Sequence, residues 1–178
     1  METQRVTSVG WVLILSALTT AVGTGIAYWG EQQLLSLVDP AKFFVAVGLI
    51  EEALVRLAPL IATFYLWSYR RGHLLTKTEG LVATIASGVT VSSLELALKL
   101  EYLSELERAV QFDTLVLPVI FIHLPLALVA GRIAYALGER IHNNGVVGLP
   151  QLSGRTLMSL VCSYLLLAAA HITYNVTL

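Results

Sequence analysis

Between Phe44 and Trp67 the chain carries an apolar run long enough to cross a membrane, yet Glu51, Glu52 and Arg56 lie inside it. A charged side chain near the centre of a bilayer costs ~2.5–3.5 kcal/mol on insertion scales, and such residues face a bundle interior or a wet cavity. Three of them within six positions therefore dictate company: this segment cannot stand alone in lipid. It must be packed among other helices that shield and neutralise it.

Those helices are present. The chain is 56% hydrophobic and only 13% charged over 178 residues. That is more apolar surface than a soluble domain of this length can hide, so lipid has to act as solvent. Five stretches have the ~20 residues that a spanning helix needs: about 8–29, 41–68, 79–100, 112–137 and 156–176. The first lacks the basic lead and small-residue exit of a signal peptide and is expected to be retained. With no internal repeat or long linker, the expectation is one all-α domain, 1–178, a polytopic membrane helix bundle. The net charge of −1 and the lack of a basic patch argue against nucleic-acid binding. Cys162 is the only cysteine, which excludes an internal disulfide; it reads as a small apolar residue in a packed helix.

Orientation follows from the basic residues. Arg5, Arg70, Arg71, Lys77, Arg132, Arg140 and Arg155 fall on one side, and only Lys42, Lys99 and Arg108 on the other. The positive-inside rule places the N-terminus inside and the C-terminus outside. The outer link Glu101 to Gln111 reads as a short surface helix, and the inner link around Asn143-Asn144-Gly145 and Pro150 as turn chemistry. Trp11, Trp29, Trp67, Tyr28 and Tyr69 read as an interfacial belt. His73 and His142 read as solvated loop residues.

At ~1.5 Å of rise per residue, Glu51, Glu95, His123, His171 and Asn175 all fall in the outer half of the bilayer, on four different helices. Chance would scatter them. Glu52 and Arg56, four apart, share a helix face as an ion pair would, and Glu51 is rotated off that face toward a cavity. His171 and Asn175 share a face in the same way. Small residues flank these positions (Ser87, Gly88, Ser92, Ala127, Gly131, Ala168 to Ala170) and let helices approach closely. Pro59, Pro118 and Pro125 would kink helices or free carbonyls nearby. Blander readings exist: Glu95 could pair with Lys99, and either histidine could be an ordinary interhelical hydrogen bonder.

The segment Glu51-Glu52-Ala53-Leu54-Val55-Arg56 resembles the EExxxR motif of the CPBP superfamily, which comprises the type II CAAX prenyl proteases and bacteriocin-processing intramembrane proteases. His171-Ile172-Thr173-Tyr174-Asn175 is similar to its HxxxN motif, while Val119 stands where FxxxH would place phenylalanine before His123. The PrsW branch, proteases that cut membrane-anchored anti-sigma factors, is a closer likeness. There a glycine-rich helix carries a glutamate, as Gly88 to Glu95 does here, and a later histidine is followed eight residues on by glycine, as His123 and Gly131 are. Leu96 replaces the asparagine that usually follows that glutamate, and Arg56 the usual lysine.

The resemblance implies a multi-pass protein of a prokaryotic plasma membrane. Its implied activity is hydrolysis of a peptide bond in a membrane-anchored substrate, without a cofactor. Glu51 would be the general base, and His123, with Glu95, would hold the water. His171 and Asn175 would donate to the oxyanion, and Glu52 would lock Arg56. The alternative in the same family is a zinc peptidase using Glu51, Glu95, His123 and His171. From other classes come a proton- or ion-coupled carrier, which intramembrane Glu and His also serve, and a silent relative that binds membrane proteins without cutting them.

Overall fold

The computed structural model describes residues 2–103, 117–144 and 153–177, with side chains described over 8–39, 42–98, 121–139 and 153–174. Every regular element among them is helical. In chain order these are α1 (Glu2–Leu34), α2 (Pro40–Glu51), a π-helical stretch π1 (Glu52–Leu57), α3 (Ala58–Arg71), α4 (Lys77–Leu103), α5 (Leu117–Asn144) and α6 (Gly154–Thr177). Four of them are long and apolar enough to cross a membrane, over Ser8–Leu34, Lys77–Leu98, Phe121–Glu139 and Gly154–Tyr174. This is a membrane protein. Leu18, Val22 and Ile26 form an exposed stripe along α1 that only lipid would tolerate.

The expected span 41–68 differs from the other four. It is helical from Pro40 to Arg71, but its hydrogen bonding changes at Glu52, and no single uninterrupted α-helix covers it. The cause lies in Pro59. The Ala58 N–H bonds back five residues to the Ala53 carbonyl, and the next donor in that series would be Pro59, which has none. The Leu54 carbonyl that Pro59 leaves behind leans on Gly23 of α1, where a Cβ would overlap the Leu54 oxygen and crowd the Pro59 ring. Such single wide turns occur frequently at functional sites.

Short loops set the remaining elements. Asp39 caps α2, its Oδ1 accepting from the Lys42 N–H at 3.1 Å ahead of Pro40 in the first turn. Gly72, at φ 70°, closes α3 in the left-handed conformation. Thr76 and Glu79 form a capping box at the start of α4: the Glu79 N–H donates to Thr76 Oγ1 at 3.3 Å and the Thr76 N–H to Glu79 Oε2 at 2.8 Å.

Packing runs through small and hydroxyl residues. Gly131 of α5 admits Thr84 of α4 into space that a Cβ would take. Ser16 Oγ donates to the Ala83 carbonyl at 2.6 Å, Thr20 Oγ1 to Ser87 Oγ at 2.9 Å, and Thr19 meets Thr63 at 2.8 Å. These bonds tie α1 to α4 and α3, at roughly 0.6 kcal/mol each in a membrane setting. One apolar cluster gathers Val12, Leu60, Phe64, Trp67, Leu75 and Ala130; a second, nearer the site, gathers Ala27, Val55 and Val91.

Several expectations change. Trp67 is buried in the first cluster rather than lying in the interfacial belt, whereas Trp11, Trp29, Tyr28 and Tyr69 are exposed. Cys162 is exposed, because it lies off the α6 face that holds Leu167, Ala168 and His171. Ala168 is buried, but Ala169 and Ala170 face outward. His73 is exposed in the turn after α3. α4 continues to Leu103 and α5 through Asn144, so Glu101, His142 and the Asn143-Asn144 pair lie in helix. The rest of the outer link, Gly145 and Pro150 lie outside the described residues, as do the side chains of Lys99, Pro118, Arg140 and His142.

The Gly23 notch gives a testable consequence. Gly23→Ala is expected to lower stability by about 1–3 kcal/mol through overpacking. Gly25→Ala, on the opposite side of α1 with nothing within 4 Å of its Cβ position, should be neutral or slightly stabilising. Thermal melts of the two variants in detergent check this, and equal melting temperatures would remove the notch as an explanation.

Candidate functional site

The α2–π1 junction delivers three charged residues in two directions. Glu52 and Arg56 are fully buried, while the Glu51 side chain remains 21% exposed. Arg56 Nη1 donates to Glu52 Oε1, and its Nη2 donates to His123 Nδ1 on α5. His171 Nδ1, on α6, lies 2.9 Å from the same Glu52 oxygen and 3.3 Å from Arg56 Nη1. On its other side, His171 Nε2 lies 3.2 Å from Glu51 Oε2, and His123 Nε2 contacts Glu95 Oε2 on α4. The two imidazoles are 5.8 Å apart between ring centroids and nearly perpendicular.

Hydrogen-bond chemistry assigns the protons. A guanidinium only donates, so His123 Nδ1 must offer a lone pair, and its proton sits on Nε2, toward Glu95. Glu52, ionised beside Arg56, only accepts. The shorter His171 contact therefore makes Nδ1–H the donor to Glu52 and leaves the Nε2 lone pair toward Glu51. Glu51 and His171 Nε2 thus form a pair able to share one proton. Arg56 is more than half of an ion pair: one cation orients a carboxylate and a histidine from different helices.

Glu51, Glu52, Arg56, Glu95, His123 and His171 are therefore brought together from α2, π1, α4, α5 and α6. Glu95 reaches His123. The Asn175 side chain lies outside the described residues; its backbone lies one helical turn beyond His171. Both nitrogens of His171 face carboxylates, an arrangement better suited to proton exchange with Glu51 than to oxyanion donation.

Sequence reasoning assigned no role to three residues nearby. Tyr164 Oη donates at 2.7 Å to the Leu49 carbonyl, tying α6 to α2 two residues before Glu51. Its signal was available, since it precedes His171 by seven residues and so shares its face. Tyr174 packs beside His171, with ring centroids 6.3 Å apart. Glu31, near the end of α1, is within electrostatic reach of Glu51 and Glu95.

No family model matches the chain, and no curated protein or solved structure matches it. The chemistry therefore rests on the geometry alone. For zinc, the donor set does not fit as arranged: each imidazole Nε2 is met by one carboxylate, as two separate pairs. Among the described residues no group of three or more His, Cys, Asp or Glu side chains could hold a metal ion.

Proposed function

We propose that this chain is an intramembrane endopeptidase that hydrolyses a peptide bond of a membrane-anchored protein with water activated by Glu51. The observation that carries this reading is the partly exposed Glu51 beside the His171 Nε2 lone pair, with a second carboxylate–imidazole pair adjoining. Buried acid–base pairs in a lipid-spanning bundle are costly, and a reaction that needs proton transfer accounts for the cost. The resemblance to the PrsW and CPBP proteases points the same way.

In the proposed reaction Glu51 takes a proton from water as the oxygen attacks the scissile carbonyl. His123 Nε2–H, shifting from Glu95, hydrogen-bonds the developing oxyanion, a role in which one donor is worth ~3–4 kcal/mol. The proton held between Glu51 and His171 then passes to the leaving amine, which completes addition of one water across the bond. Asn175 is the further oxyanion donor that the resemblance implies. Glu52 and Arg56 hold both rings in the required tautomers without touching substrate.

We read Pro40–Arg71 as a fifth crossing, tolerated because Glu52 and Arg56 neutralise each other, with the N-terminus inside and the site in the outer half of a prokaryotic plasma membrane. The substrate segment must unwind locally, since a helical peptide bond is shielded by its own hydrogen bonding.

The test is incubation of the purified protein with a panel of single-span substrates and identification of products by mass spectrometry. Cleavage near the outer end of a substrate span, insensitive to chelators, is the expected result. Chelator-sensitive cleavage restored by zinc would replace this mechanism with the metal one. Proton-coupled transport in vesicles without any products would replace the peptidase with a carrier.

A further inference from the structure

At the end of the bundle away from the site, α1 and α3 diverge to leave a groove of about 670 Å³. Its walls are apolar, formed chiefly by Trp11, Ile14, Leu18 and Leu66, and Arg70 and Arg71 stand at one end. This volume lies within the range of ~300–1,000 Å³ typical of small-ligand sites. Neither arginine makes an ion pair among the described residues, and the Arg71 guanidinium stacks on the Trp67 ring, 5.0 Å from its centroid. Trp67 also lines the groove. It is 3% exposed, yet its indole N–H has no acceptor among the described residues. That N–H is shielded from the groove as well, so Trp67 contributes a ring face that seats Arg71 rather than a hydrogen bond.

We propose that this groove binds one anionic phospholipid, with an acyl chain along the α1–α3 walls and the phosphate at Arg70 and Arg71. Two observations converge on that occupant: the walls suit hydrocarbon, and one end carries two cations without an ion-pair partner among the described residues. Arginines between helix ends and aromatic rings are the recurring chemistry of anionic headgroup sites. A free phosphate would use the arginines but leave the groove unexplained. The proposal is independent of the peptidase reading.

Native mass spectrometry of the full chain in detergent tests it, with phosphatidylglycerol and phosphatidylcholine of identical acyl chains at equal concentration. Each basic residue near an anionic surface contributes a factor of roughly five, so the two arginines together should give a preference for phosphatidylglycerol of roughly 25-fold. In Arg70→Gln/Arg71→Gln the preference should fall to near one; both side chains are exposed, so the fold should survive the change. Brominated acyl chains should quench tryptophan fluorescence more strongly on phosphatidylglycerol than on phosphatidylcholine, and this difference should vanish in the double variant. Equal retention of both lipids by the parent protein, or an undiminished preference in the double variant, would overturn the site. Displacement of the lipid by millimolar inorganic phosphate would overturn its assignment to a lipid.

Discussion

Glu52→Leu is expected to destabilise the chain by about 3–5 kcal/mol, the cost of leaving a buried charge without its partner. Arg56 is fully buried, and its remaining contact to His123 cannot neutralise it. The same substitution deprives His171 Nδ1 of its acceptor. For a chain of this size the loss corresponds to a fall in melting temperature of about 10 °C or more. Glu52→Leu/Arg56→Leu should recover part of that loss, because no isolated charge remains, but not all of it, because His123 and His171 would both lack Nδ1 partners. Thermal melts of the three proteins in one detergent provide the measurement. A Glu52→Leu protein that melts within a degree or two of the parent would show that Arg56 is neutralised elsewhere.

Glu51→Gln should reduce peptide-bond cleavage by roughly 10²–10⁴-fold, the usual contribution of a positioned general base, while leaving the fold intact. The reason lies in the tautomers. The glutamine amide N–H can donate to the His171 Nε2 lone pair that faces Glu51, so the helix contact survives while the basic oxygen is lost. Glu95→Gln should cost less activity, since an amide oxygen still accepts from His123 Nε2–H. Turnover of a single-span substrate, measured alongside melting temperature, separates the two effects. Full activity in Glu51→Gln would exclude Glu51 as the base.

The contrast between Glu52 and Glu51 was legible from the chain alone. Adjacent residues on a helix point ~100° apart, so only one could share a face with Arg56. The shared level of Glu95, His123 and His171 was legible for the same reason, since rise per residue converts sequence position into height along a helix. Azimuth was not. In a segment apolar on every side, nothing in the pattern says which face meets a neighbour and which meets lipid. Trp67 was therefore placed at the interface although it is buried, and Cys162 inside although it is exposed.

From the chain alone came the membrane class, four of the five expected spanning segments, and the ionisable residues that needed shelter. These depend on local quantities: hydropathy, helical rise and the spacing of charges. Only the tertiary structure decided that Arg56 joins Glu52 to His123, that the helix opens into a π-turn at Glu52, and that Gly23 and Tyr164 hold that turn in place. Each of these is a contact between helices far apart in the chain. Close packing and hydrogen-bond geometry select such contacts, and no periodicity along one helix encodes them.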